Sequence, residues 1–253
     1  MKILKILKRW GAIPLFFAFG LLFLPTLARG GDAPFDGPGN RGTTGLMETP
    51  TARVMKEGRI RFGAGQVDPY RYYYGAVSPL KGLEISGRVT EELGYDISSQ
   101  PGWSGYGNNK DKAIELKYQV LPEGKWWPAI AIGIMDPHGT RKYASQYVVA
   151  SKQIYPFDFT VGFGNGWYGK RPLPAQGEGF KVELFSDNAA WRSDGQFFGG
   201  VAFSPSPHFT VMAEYSPVKF EVQASDFIRK RDFPQAVPSR FNFGLRWRPW
   251  EWL

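Results

Sequence analysis

The sequence predicts an all-β chain, an antiparallel transmembrane β-barrel of about 12 strands, within a range of roughly 10–14. Three observations predict it. From Arg59 to Arg248, apolar side chains recur at every second position. Phe157-Asp158-Phe159-Thr160-Val161-Gly162-Phe163 and Phe241-Asn242-Phe243-Gly244-Leu245-Arg246-Trp247 are the clearest copies. A period of two belongs to strands with one apolar and one polar face. The chain also opens like an exported protein. Finally, aromatics gather near the ends of the strand candidates, where membrane-interface girdles sit.

Residues 1–28 read as a signal peptide. Lys2, Lys5, Lys8 and Arg9 form a basic start, Ala12 to Leu24 an apolar core interrupted by Pro14, and Thr26-Leu27-Ala28 a small-x-small cleavage site. The apolar core is shorter than the ~20 residues that a spanning helix needs, which favours cleavage after Ala28 over an uncleaved anchor. Removing those four cations lowers the formal charge from +8 to +4. That mild balance carries no nucleic-acid footprint. There are no cysteines, which excludes disulfides, thiolate metal sites and a lipidated cysteine in this sequence.

Residues 29–58 are rich in Gly, Pro, Asp and Thr and form an irregular lead-in, in the periplasm or in the barrel lumen. Strand candidates follow at 59–66, 70–77, 82–91, 112–120, 128–134, 145–151, 157–164, 179–185, 196–203, 208–215, 219–225 and 240–248, so that 59–253 forms the barrel. Pro69, Pro79, Pro122, Pro156, Pro205, Pro207 and Pro217 fall between them, where a missing N–H does least harm. Short connections such as Asp68-Pro69 and Ser216-Pro217 contrast with long ones such as Leu93 to Asp111 and Asp226 to Ser239. Outer-membrane barrels have short periplasmic turns and long outer loops.

Alternation assigns the faces. Ile60, Phe62, Val89, Ile114, Val182, Val211 and Phe243 share the oily side. On the other side, Arg88, Glu115, Lys117, Asp158, Glu183, Glu214 and Arg246 are the candidate lumen-facing polar residues. A membrane barrel turns its charges inward, whereas a soluble barrel turns them to water. The inward charges have both signs. They suit either a salt-bridged, filled interior or a polar passage, and not the single-sign ring of an ion-selective pore.

The chemistry-bearing residues are few. His138 lies in the turn sequence Asp136-Pro137-His138-Gly139, and His208 follows Ser204-Pro205-Ser206-Pro207. Ser206 and His208 are too close in sequence to face each other as nucleophile and base, so no catalytic residues are expected. Two histidines without cysteine make a transition-metal site unexpected. Asp96, Asn108, Asn109 and Asp111 lack the spacing of a calcium loop and read as solvated polarity. No cofactor is expected. The aromatics Trp103, Tyr106, Trp167 and Trp191 are candidates for stacking on sugar rings, against the blander reading of girdle or loop packing.

Gly45-Leu46-Met47-Glu48-Thr49-Pro50-Thr51-Ala52-Arg53 resembles the opening motif of the YjbH-like family of outer-membrane exopolysaccharide proteins. Pro69-Tyr70-Arg71-Tyr72, Leu83-Glu84-Ile85-Ser86-Gly87-Arg88-Val89-Thr90, Tyr147-Val148-Val149-Ala150-Ser151-Lys152, Phe157 to Gly164 and Ala213-Glu214-Tyr215 resemble the same family in order. The resemblance implies an outer-membrane barrel that assists export or assembly of an extracellular polysaccharide. It implies as partners outer-membrane lipid, the polysaccharide and other products of a polysaccharide gene cluster, and no nucleic acid. It supplies no catalytic residues. Family members are commonly longer, with a second barrel-like half, and some are lipoproteins. The expected location is the outer membrane of a Gram-negative bacterium. The alternatives are a barrel enzyme acting on lipid or polysaccharide, and a soluble periplasmic sugar- or lipid-binding barrel.

Overall fold

The computed structural model describes residues 35–174, 179, 181–183, 188–223 and 226–250. The predicted signal peptide and the start of the lead-in lie outside the described residues. Ten strands follow one another: β1 (Ile60–Val67), β2 (Tyr70–Leu80), β3 (Leu83–Asp96), β4 (Asn108–Leu121), β5 (Ala129–Met135), β6 (Ser145–Ile154), β7 (Phe157–Gly164), β8 (Gln196–Ser206), β9 (Phe209–Tyr215) and β10 (Phe241–Trp247). Each pairs antiparallel with its neighbour in sequence, giving one sheet in the order β1 to β10.

Among the described residues there are ten strands, the lower end of the expected range of 10–14. The candidate at 179–185 lies partly outside the described residues. The candidate at 219–225 is not a strand: Phe220–Gln223 is a turn of helix, α2, after α1 (Asn188–Asp194) and before α3 (Asp226–Asp232). Its alternation is real, but packing decides otherwise. Phe220 stacks on Phe233 at 5.6 Å and meets Trp167 edge-on at 5.7 Å, while Ile228, fully buried, packs with Tyr70 and Tyr72. Tertiary burial outweighs a short β pattern.

The expected closure is also corrected. β1 and β10 are the two ends of the sheet and do not pair with each other. The lead-in runs between them. The Arg246 guanidinium on β10 donates to the carbonyls of Pro38, Gly45 and Leu46, and Arg61 on β1 donates to those of Gly42 and Asp36. The sheet thus curls around residues 36–55, which touch β1, β3, β4, β6, β7, β9 and β10.

Register sorts the two faces. Phe62, Phe159, Val161, Val211 and Phe243 are exposed on the convex side, and Glu84, Lys117, Asp158 and Glu214 are buried on the concave side. Two glycines let rings lie flat on the inner wall. Gly133 pairs with Tyr147 and Gly162 with Phe198, and a Cβ at either glycine would overlap the opposing ring. The turns after β2, β4, β6 and β8 (81–82, 122–128, 155–156, 207–208) are short and share one end with the start of β1. The other end carries the two-residue turn 68–69 and the connections 97–107, 136–144, 165–195 and 216–240, so that of the short connections expected from sequence Asp68-Pro69 lies at the long-loop end and Ser216-Pro217 opens a long connection.

Candidate functional site: the filled polar interior

A segment that runs through a protein interior without strand partners brings bare N–H and C=O groups with it. Buried peptide groups must be paired. Residues 36–55 satisfy a few themselves, through bridges between Pro38 and Thr44 and between Gly45 and Pro50. The sheet's charged side chains satisfy many of the rest.

Carboxylates meet the N–H groups. Glu214 on β9 accepts from the backbone N–H of Met47 (3.1 Å), Glu48 (2.8 Å) and Thr49 (3.1 Å), from the Thr49 hydroxyl (2.8 Å) and from Asn242 (3.0 Å). Glu84 on β3 accepts from Thr44 N–H (2.6 Å), the Thr44 hydroxyl (2.7 Å) and Met55 N–H (2.9 Å). Glu115 on β4 takes the hydroxyls of Thr43 (2.8 Å) and Tyr147 (2.7 Å). Cations meet the carbonyls: Lys117 donates to Thr44 O at 2.7 Å, and Arg246 donates as described. The mixed signs of the inner face are thus the complement of peptide groups, which present donors and acceptors in alternation.

Two arginines of the lead-in itself are also buried. Arg53 forms a two-pronged pair with Asp158 on β7 (3.1 and 2.6 Å) and reaches Glu123 at 2.5 Å. Arg41 pairs with Glu48 at 2.8 Å and donates to the Tyr168 hydroxyl at 2.6 Å. Burial opposes both arginine charges. Tyr168 and Glu48 more than offset it at Arg41, as Asp158 and Glu123 do at Arg53, so both stay above the ordinary arginine range. Glu123 is likewise held below the usual carboxylate range: burial pushes it up, and Lys152 and Arg53 pull it further down.

The predicted lumen residues converge on this interior. Arg88 lies beside Glu115 at 4.0 Å, with its guanidinium over the Tyr143 ring. Glu183 is the exception in place: it lies in the β7–β8 connection, paired with Arg141 and Gln146. The four candidate stacking aromatics do not come together. Exposed Trp103 and half-buried Tyr106 form an edge-on pair at 4.8 Å in the β3–β4 loop. Trp167 is 1 % exposed within the core, and Trp191 packs on Phe163 at 5.2 Å. His138 lies in the turn after β5, and the His208 ring contacts the Arg248 carbonyl at 2.9 Å. Among the described residues, no group of three His, Asp or Glu is placed to hold a metal ion.

Sequence reasoning did not single out Glu84, Arg53 or Thr44 as site residues. Glu84 shared the polar face by alternation and was discoverable there. Arg53 and Thr44 sit in an aperiodic segment, where no pattern marks a buried role.

At the end of α1 lies Asp194, which pairs with the exposed Arg171 outside the interior. At the open edge, a cavity of about 430 Å³ separates Ala64 and Gly65 of β1 from Leu245 and Arg246 of β10. Arg248 pairs there with Asp36 at 2.8 Å, so the lead-in ties the two edges together.

Comparison with known proteins follows the same span. A family profile described as "Exopolysaccharide biosynthesis protein YbjH" (YjbH) matches residues 39–253. The "Uncharacterized lipoprotein YjbH" of Escherichia coli (strain K12) is 32 % identical over 226 residues, covering 83 % of this chain and 31 % of that relative. This chain therefore spans less than a third of the relative's length. No solved structure matches the chain.

Proposed function

Because the chain belongs to the YjbH family of exopolysaccharide biosynthesis proteins, we propose that it assists export or assembly of an extracellular polysaccharide from the outer membrane. One observation carries this reading: a curled sheet whose outside is apolar and whose inside is charged. In water, an exposed face carrying Phe62, Val161, Val211 and Phe243 would be a large uncovered apolar patch. In a bilayer it is the required surface. The end with the turns 81–82, 122–128, 155–156 and 207–208 then faces the periplasm, and the end with the long loops faces the exterior. The family context supplies the polysaccharide, and other products of the same pathway are the proposed partners.

Occupancy of the interior by residues 36–55 supports a part in assembly, or in a complex with partners, over a standing conduit. The role is non-catalytic in this reading. Fractionation tests it. The protein should co-purify with outer membranes and change gel mobility on heating, and its loss should lower secreted polymer. A freely soluble periplasmic protein would sink the membrane reading, and unchanged polymer would sink the export reading.

A further inference from the structure

The convex face of the sheet is not uniform. Register places Phe62, Gly75, Gly87 and Ile114 in one row across β1 to β4. The next row toward the long loops is Ala64, Tyr73, Val89 and Lys112, and the one beyond it is Gln66, Arg71, Glu91 and Lys110. Each row is about 7 Å from the next, two residues of strand rise. The face thus turns from apolar to charged within about 14 Å, as a wall does where it leaves hydrocarbon for headgroups.

At that boundary the wall is indented. A cavity of about 920 Å³ runs over Gly75 and Gly87, walled by Phe62, Tyr73 and Ile114. A Cβ at Gly87 would meet no atom within 4 Å, so the floor is open. The β3–β4 loop overhangs one end with Trp103 and Tyr106. Lys110 is half-buried: its ammonium lies over the Tyr106 ring at 4.4 Å and donates to the carbonyls of Tyr106 (3.0 Å) and Asn108 (3.1 Å), which leaves one N–H for a ligand. Lys112 is exposed and has no hydrogen-bond or ion-pair partner among the described residues.

We propose that this groove binds one phosphorylated glycolipid of the outer leaflet, with an acyl chain over Gly75 and Gly87 and the phosphate at Lys112 and Lys110. The inference rests on the outer-membrane reading given above. An apolar trough fits a chain. Two cations at its rim fit a phosphate, because cations beside an anionic lipid surface each strengthen binding. The exposed Trp103 face at the same rim fits a sugar ring.

Native mass spectrometry of the full chain released from lipid nanodiscs tests the proposal. The probes are phosphorylated lipid A, its dephosphorylated form and phosphatidylglycerol. Phosphorylated lipid A should be retained at one copy. Gly87→Leu, which fills the floor, and Lys112→Ala, which removes an exposed charge, should each weaken retention, the latter about fivefold. Val211→Leu, elsewhere on the apolar band, should leave it unchanged. Equal retention by Gly87→Leu and Lys112→Ala would reduce the groove to ordinary annular contact and overturn the proposal. Equal retention of phosphatidylglycerol or of the dephosphorylated form would overturn the phosphorylated-glycolipid assignment. Heat-modifiable mobility, measured in parallel, separates these results from a failure of the outer-membrane reading itself. If Gly87→Leu misfolds by that measure, Lys112→Ala decides alone.

Discussion

Replacing Glu214 by Ala should release the lead-in from the interior without unfolding the sheet. Glu214 is 2 % exposed and accepts four hydrogen bonds from residues 47–49, three of them from backbone N–H groups. Hydrogen bonds to a charged group are each worth about 1.5–3 kcal/mol, and a buried donor left unpaired costs about 1–3 kcal/mol. The sum is not additive, because water enters once the segment lifts. A net loss of about 4 kcal/mol is a conservative reading, and it corresponds to roughly a thousandfold change in the local opening equilibrium. Hydrogen–deuterium exchange reads it directly, since the amides of Met47, Glu48 and Thr49 are the groups that lose their partner. Exchange over 46–50 should accelerate by about three orders of magnitude, while β3 and β4 keep their protection, because the ladder bonds between them do not involve the lead-in. Unchanged exchange over 46–50 would refute the claim that the wall carboxylates hold this segment. Loss of protection across the whole sheet would refute the claim that the sheet stands without it.

Three further outcomes follow from the same geometry. Asp158→Ala leaves Arg53 buried with one partner fewer, which costs about 3–5 kcal/mol. An Ala52→Cys reporter, unique in a cysteine-free chain, should then react with a soluble thiol reagent at least a hundredfold faster. Val161→Lys should cost about 2–4 kcal/mol of folding into bilayers if Val161 faces lipid near the midplane. An effect within ~0.5 kcal/mol, typical of a water-exposed site, would count against that orientation. Burial pushes Asp136 up to about 6, with Asp111 adding to the shift. The folded protein then holds the Asp136 proton to a higher pH than the unfolded chain does. This group's contribution makes stability fall as pH rises between about 4 and 6, by roughly 2–3 kcal/mol at most. Asp136→Asn should flatten that part of a melting-temperature profile in detergent, and an unaltered slope would remove Asp136 as its source.

Alternation alone determined most of what could be known about this chain in advance: its strands, their antiparallel order and which side chains share a face. Phe157 to Gly164 reads as β7 because the pleat forces successive side chains to opposite sides, a purely local rule. The same rule put Asp158 and Glu214 on one face; their inward direction came from reading the oily face as lipid-facing, on the export signal and the aromatic strand ends. Three features needed the tertiary structure. Phe220 and Val222 alternate like a strand yet lie in a helical turn, because the aromatic cluster around Trp167 and Phe233 takes Phe220. Sheet closure depends on what passes between the edges, and here the lead-in, held by Arg61 and Arg246, occupies the gap. The meaning of the mixed charges was undetermined by any pattern, since Glu214 and Thr49 are separated by 165 residues. A charge facing inward says nothing about whether it meets water, polymer or the chain's own peptide groups. Only the path of residues 36–55 decided that, because long-range pairing of a buried aperiodic segment leaves no period in the sequence.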